Sequence, residues 1–385
     1  MSWETVKLGD IASFSNGLNF NKSAYEAGIP LIGVSNFGER IFPPYDELEQ
    51  VKADVVRKND YLIDGDIVFV RSNGNKELVG RCMLIKDYDV PLTYSGFCIR
   101  CRFIDTTKYD PVFFTYYFKS DLFRRAMSGT AVGANIQNLS QGRLCSHIVT
   151  IPDSDGQRRI GETLLNYDMM IENNQRQISL LEEAAQRLYK EWFIDLRFPG
   201  YEDVKIVDGV PEGWHIGNLG ELVEFRRGKT ITKAQAKEGS VPVVAGGLEP
   251  AYYHNIANTK APVITVSGSG ANAGFSRMYH EDVFASDCSY ADAQGTKSIS
   301  YLYCYLKANK YQLDALQKGS AQPHVYAKDI NAMEMLVPLP EVVTVFCERV
   351  DMMFNEIGVL QKQITSASEA RDRLLPKLMS GEIEV

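Results

Sequence analysis

The chain has 385 residues, 45% of them hydrophobic and 23% charged, with a formal net charge of -8. This composition excludes disorder and collagen, and at roughly 150 residues per domain the length predicts two or three domains. No apolar run reaches the ~18 residues of a membrane span, the start MSWETVKLGD lacks a basic-then-apolar export signal, and seven scattered cysteines read as free thiols, so a reducing cytoplasm is expected.

In chain order, the first unit opens with Trp3, Leu8-Gly9-Asp10-Ile11, Phe14 and Gly17. Gly28-Ile29-Pro30-Leu31-Ile32 follows, then the β-rich run Ile67–Val70 with the loop Ser72-Asn73-Gly74-Asn75. Phe113–Lys119 reads as a short packed helix, and Ser128-Gly129-Thr130 and Ile151-Pro152 come after it. The same series returns 211 residues later as Trp214, Leu219-Gly220-Glu221-Leu222, Phe225 and Gly228. It continues as Gly239–Val244, the run Val263–Val266 with Ser267–Asn272, the helix Ser300–Lys307, Lys318-Gly319-Ser320 and Leu339-Pro340. A series of matches in one order means a duplicated unit.

Each unit closes on a long helix. Over 160–193, Leu164, Ile171, Ile178, Ala185 and Trp192 alternate with Ile160, Tyr167, Asn174, Leu181 and Leu188 at heptad spacing. Over 346–378, Val350, Ile357, Ile364, Arg371 and Leu378 alternate with Phe346, Met353, Leu360, Ala367 and Leu374. Nine of ten positions in each seam are apolar, and so long a stripe favours a paired coiled coil. We assign helix pairing to Ile160, Leu164, Ile171, Ile178, Leu181, Leu188, Val350, Ile357, Leu360, Ile364 and Leu374. Asn174 is placed to set the register, Arg371 is expected to weaken a dry seam, and Gly358 is a blemish. Pro376 is expected to kink or end the second helix.

The expected fold is α+β: two similar globular domains with mixed sheets, separated by two long antiparallel helices about an approximate twofold axis. The divisions are 1–155, 156–197 for the central helix, 198–343, and 344–385 for the final helix. A helix of about 40 residues spans roughly 60 Å, which makes it a rigid spacer.

Four motifs approach catalytic patterns and fail. Phe42-Pro43-Pro44-Tyr45 resembles the amino-methyltransferase motif but lacks the polar first residue that accepts from the target amine. Gly228-Lys229-Thr230 resembles a P-loop ending, yet Val223 stands where the cradle needs glycine. Gly268-Ser269-Gly270 with Gly274 has the wrong third spacing for a dinucleotide loop. Cys98-Ile99-Arg100-Cys101 has no second Cys/His pair for zinc, and on a strand its thiols point to opposite faces. No catalytic or metal-binding residue is assigned.

Two related domains on a rigid spacer fit a duplex, whose half-sites lie roughly 34 Å apart per turn. In unit one the candidate DNA-binding residues are Asn19, Lys22, Arg71, Ser72, Asn73, Asn75, Lys76, Asn135, Gln137 and Asn138. Unit two offers Arg226, Arg227, Lys229, Lys233, Ser269, Asn272, Ser320, Gln322, His324 and Tyr326. Arginine reads guanine, Asn and Gln read adenine, and Lys and Ser hold phosphates. Residues 1–155 carry 17 basic and 19 acidic side chains, and 201–340 carry 13 and 15, so neither unit is a basic clamp. Binding by the isolated chain should be weak. Two other readings remain: a stand-alone DNA-binding regulator, which would bind tightly alone, and a scaffold that binds no DNA.

The tandem Trp-x4-Leu-Gly-Asp/Glu-Ile/Leu openings, the run Ala185–Phe193 and the ending Arg371–Ile383 resemble the DNA-specificity subunits of type I restriction–modification systems over essentially the whole chain. The resemblance implies two target-recognition domains, each reading half of a bipartite double-stranded target. It further implies docking of two methyltransferase subunits, with restriction subunits in the larger complex. S-adenosylmethionine, ATP and Mg would then be held by those partners, none by this chain, with no membrane involved.

Overall fold

The computed structural model describes residues 2–75, 78–128, 139–319 and 323–385. The chain divides into two compact units, Met1–Asn173 with Ile364–Val385, and Asn174–Gln363. Each unit therefore owns the first part of one long helix and the last part of the other.

In the first unit the strands are β1 (Trp3–Lys7), β2 (Ala12–Asn16), β3 (Tyr25–Ile32), β4 (Glu49–Val51), β5 (Ile67–Val70), β6 (Cys82–Leu84), β7 (Thr93–Tyr94), β8 (Cys98–Phe103) and β9 (Ile148–Pro152). The helices are α1 (Leu8–Ile11), α2 (Pro111–Lys119), α3 (Asp121–Ser128), α4 (Gln141–Ser146) and the long α5 (Ser154–Tyr189), which runs into a π-turn at Lys190–Ile194. The strands form a β1-β9 ribbon, an antiparallel sheet of order β2-β8-β5-β6, and a sheet of order β4-β3-β7 in which β3 and β7 are parallel.

Strand β5 shows why this unit has two cores. Successive strand side chains face opposite ways. Ile67 and Phe69 pack with Phe113, Phe114, Phe118 and the helix residues Ile160, Leu164, Leu378 and Met379. Val68 and Val70 face Ile32, Met83, Tyr94 and Cys98. A strand covered on both faces must read as a continuous apolar run, and all four residues are fully buried. Helix α2 is buried for most of its circumference, and it starts where Asp110 accepts from the Phe113 amide at 2.9 Å with Pro111 just inside. Beside it, the fully buried Asp66 carboxylate takes Arg102 bidentately, Nε at 2.7 Å and Nη2 at 2.6 Å.

The second unit repeats this plan. Its strands are β10 (Ile206–Val207), β11 (Val210–Pro211), β12 (His215–Asn218), β13 (Arg226–Arg227), β14 (Val241–Val244), β15 (Tyr252–His254), β16 (Val263–Ser267), β17 (Ser276–Tyr279), β18 (Phe284–Ala285), β19 (Cys288–Asp292) and β20 (Glu334–Val337). Its helices are α6 (Ile299–Ala308), α7 (Lys310–Ala315), α8 (Ala327–Asn331) and α9 (Pro340–Ser380). The sheets are β12-β20, β13-β19-β16-β17 and β15-β14-β18, the last again with one parallel pair, and the small hairpin β10-β11 is an addition. One detail departs from the sequence alignment. Trp3 pairs with Pro152, while His215, the residue after Trp214, pairs with Val337. The counterpart of Pro152 is thus Pro338, not Pro340, because backbone register rather than the nearest Leu-Pro decides the match.

The helix segments run antiparallel inside each unit. In the first, Arg159 reaches the Val385 carbonyl at 2.6 Å and Asp168 pairs with Arg371, so one number rises as the other falls. In the second, Asn174 donates to Gln363 at 3.0 Å, and Trp192 stacks edge-on against Phe346. The seam residues named from the sequence are all buried or half-buried. Ile178, Leu181 and Leu188 belong to one cluster with Val350 and Ile357. The central helix starts two residues before the expected 156, and the final helix four before 344.

The structure qualifies two expectations about the final helix. The helix does not end at Pro376 but continues to Ser380. An internal proline costs about 3 kcal/mol, and burial of Leu378 and Met379 in the first unit's core offsets that. Arg371 does not leave a bare charge in the seam: Asp168 and Asp372 both pair with it, and Asp168 also accepts from the Tyr116 hydroxyl at 2.5 Å. Gly358 has a purpose as well. A Cβ there would lie 2.7 Å from the His280 side chain, whose ring stacks on Phe354.

His280 yields a pH prediction. Burial, aided by Lys362, pulls its pKa down to about 4 from an ordinary 6.5. The unfolded chain therefore binds the proton first, and stability should fall as pH drops from about 6.5 towards 4. The slope contributed by this ring is no more than about 1 kcal/mol per pH unit, given its partial exposure. Denaturant titrations at pH 7, 6 and 5 should show a shallower loss for His280→Phe than for the wild type. Equal slopes would contradict the assignment.

Candidate nucleic-acid interface

In the first unit, three connections meet at one end of the β2-β8-β5-β6 sheet. Gly17 donates its amide to the Cys98 carbonyl at 3.2 Å, and Leu18 donates to Tyr94 at 2.8 Å. Arg71 donates to the Phe97 carbonyl at 2.8 Å, while its own carbonyl accepts from Leu139 at 3.0 Å. Gly17 is required here: a Cβ would stand 2.3 Å from the Tyr94 oxygen.

This skeleton brings Asn19, Arg71, Ser72 and Asn73 together. Asn19 is exposed and its amide oxygen lies against Gly96. The half-buried Arg71 side chain approaches the Gly96 carbonyl at 3.5 Å. Asn73 accepts from the Asn75 amide at 2.7 Å, a side-chain turn that holds the loop open. Lys22 is exposed on the following single turn, beyond this group. Lys76, Asn135, Gln137 and Asn138 lie outside the described residues.

The second unit builds the same skeleton. Gly228 donates to Cys288 at 2.8 Å, Lys229 to Ala285 at 3.0 Å, Gly268 to Asp287 at 3.2 Å, and Val325 to Gly268 at 3.1 Å. A Cβ on Gly228 would meet the Ser286 carbonyl at 2.3 Å, as on Gly17. Each bond has its counterpart in the first unit, so the two loop clusters are one construction made twice.

The side chains on that construction differ. Arg227 pairs with Asp287, and Ser269 donates to the same carboxylate. Ser269 and His324 are joined through their backbones, and the His324 ring stacks on Tyr326 with centroids 6.1 Å apart. Asn272 leans on the Gly246 carbonyl at 3.5 Å. Lys229 is exposed beside this group. Arg226, one residue from Arg227 and so on the other face of β13, turns away to the buried Asp292 at 3.1 Å and the Tyr290 ring. Lys233 is exposed further along the chain, and Ser320 and Gln322 lie outside the described residues.

Two members escape a reading of the sequence alone, Phe97 and Asp287. A phenylalanine between a glycine and an apolar strand reads as core, yet Phe97 is 64% exposed. The available signal was Ser95-Gly96-Phe97-Cys98 against Ser286-Asp287-Cys288, an alignment that needs a one-residue gap. Of the four catalytic near-misses, the first has Tyr45 stacked on Tyr88, and in the last Cys98 and Cys101 sit in different cores, both thiols pushed up by burial. Among the described residues, no His/Cys/Asp/Glu group could hold a metal ion, and no helix is long and apolar enough to cross a membrane.

The model of the type I restriction modification DNA specificity domain matches residues 1–183 and again 211–367. The chain belongs to this family. Both matches end inside a long helix, so a specificity-domain repeat comprises a globular part and the start of the helix after it. The MjaIX specificity subunit of Methanocaldococcus jannaschii is 25% identical, the alignment covering 70% of this chain and 68% of that one. The putatively assigned MjaX specificity subunit of the same organism is 22% identical over 100% of this chain and 94% of its own. A crystal structure of the type I S subunit from M. genitalium shares the fold, with a TM-score of 0.65 at 17% identity, covering 98% of this chain and 96% of that one.

Proposed function

We propose that this specificity-family chain is the non-catalytic sequence-reading subunit of a type I restriction–modification complex, each unit reading one half of a bipartite duplex. The observation that carries the reading is the duplicated loop cluster: one hydrogen-bonded skeleton, two different sets of side chains. A repeat kept for stability alone has no need for polar side chains gathered at the same end of both units. The long helices set the gap between half-sites and dock two methyltransferase subunits, and restriction subunits complete the assembly. S-adenosylmethionine, ATP and Mg belong to those partners, and the complex works in the cytoplasm.

Electrostatics supports dependence on a partner. Asp287 and Asp292 offset Arg227 and Arg226, so much of the local positive charge in the second unit is already compensated. Phosphate neutralisation supplies most non-specific affinity. In gel-shift titrations the chain alone should therefore bind DNA weakly, and addition of its methyltransferase should tighten binding at least tenfold. Equal affinity in both arms would favour the stand-alone regulator, and absence of any enriched split sequence with the assembled complex would favour the scaffold.

Docking is supported by the outer face of α9. Val345, Met352 and Val359 recur every seven residues and are exposed, Met352 by 71%. This is a second apolar stripe, separate from the buried seam, at the spacing a partner helix would pack against.

A further inference from the structure

Phe97 and Asp287 occupy the same backbone site. The Phe97 carbonyl accepts from Arg71 and the Asp287 carbonyl from Gly268, and each residue precedes a buried cysteine, Cys98 or Cys288. What projects from that site is opposite in character. Phe97 is an apolar ring, 64% exposed on a backbone held at both ends, its amide donating to the Ser95 hydroxyl at 3.2 Å. Asp287 is a carboxylate engaged by Arg227 and Ser269.

We propose that this site is where the two units diverge in what they read: Phe97 packs on the 5-methyl group of a thymine, and Asp287 aims Arg227 at a guanine. The inference rests on the DNA-reading function above. Thymine is the base whose major-groove edge carries an apolar group, and the polar neighbours Arg71 and Asn73 match the edges beside it. Water leaves both apolar surfaces when ring and methyl meet. Guanine presents two acceptors, O6 and N7, to an arginine fork. A guanidinium has five donors, so Asp287 can hold Arg227 by one edge and leave others for the base. Asp287 is thus a positioning residue, acting through Arg227.

The test uses the complex assembled with its methyltransferase subunits. Methylation sequencing supplies the target, and exchange of residues 198–343 with those of a relative assigns its halves. Duplexes then carry single thymine-to-uracil changes, which remove only the methyl, or single guanine-to-7-deazaguanine changes, which remove only N7. At one thymine of the first unit's half, uracil should weaken wild-type binding roughly threefold to tenfold, the scale of one methyl leaving an apolar contact. Phe97→Ala should be weaker on thymine DNA and indifferent to the swap, with Phe97→Leu between them. At one guanine of the other half, 7-deazaguanine should weaken the wild type about tenfold, while Arg227→Ala is indifferent and Asp287→Asn largely so. Asp287→Glu should recover the discrimination, which a merely structural role would not predict.

A first half without thymine overturns the proposal, as does Phe97→Ala retaining the uracil penalty. A flat uracil series together with weak binding by Phe97→Ala also overturns it and makes the ring a wedge between base steps. Those outcomes leave DNA reading intact. Failure to find any bipartite target would remove the functional reading itself, and this inference with it.

Discussion

Adding one heptad to both long helices, between Asn173 and Asn174 and between Gln363 and Ile364, should lengthen the unread gap of the DNA target by about three base pairs. These are the points at which the chain divides between its compact units. Seven residues add roughly 10.5 Å of helix, against 3.4 Å per base pair. A heptad also returns the seam to nearly the same face, lagging by only about 20°, so Asn174 and the apolar seam residues keep their partners. Insertion of a single turn into α5 alone, between Glu172 and Arg176, is the contrasting case. It displaces one seam against the other and should disrupt assembly or alter the gap. Methylation sequencing of cells carrying each variant measures the gap directly. An unchanged gap with an intact complex would exclude the helices as the ruler.

The double variant Met352→Glu, Val359→Glu should lose methyltransferase binding by at least about a hundredfold, the range seen when central apolar anchors of an interface are removed. Both side chains are exposed, and neither belongs to the buried clusters. The folded chain should therefore melt within a few degrees of the wild type, since exposed substitutions usually shift stability by about 0.5 kcal/mol or less. Met352→Leu, which keeps the apolar surface, should bind normally. Size-exclusion chromatography and calorimetry with the methyltransferase subunit read the outcome. Full binding by the double variant would mean that this stripe is not the docking face. Loss of binding together with a large drop in melting temperature would instead place the stripe in the fold.

Much of the architecture was legible because it is written in local or periodic signals. The duplication shows as ordered matches from Trp3 and Trp214 onward, most of them on corresponding elements, although strand register moves the counterpart of Pro152 from Pro340 to Pro338. The heptads show because an apolar stripe must repeat with the helix to bury one face. Where the reading failed, a distant residue made the difference. Pro376 reads as a kink or a stop when only its own backbone is considered, and it is not a stop because the residues after it are claimed by a core assembled mainly from residues before 165. Arg371 reads as a flaw until Asp168, 203 positions away, supplies its counter-charge.

The candidate site follows the same division. Asn19, Arg71, Ser269 and His324 could be picked out as polar loop residues, but nothing local says that Arg226 turns to a buried carboxylate while its neighbour Arg227 joins the cluster. Strand alternation separates the two, and only the pairing of β13 with β19 tells which face is which. Composition and periodicity by themselves thus determined that this is a doubled α+β chain with paired long helices, because those patterns depend on each residue's near neighbours. The tertiary structure decided which loop residues meet and that Phe97 and Asp287 stand on one backbone site, because hydrogen bonds between strands far apart in the chain bring those residues to the same end of a sheet.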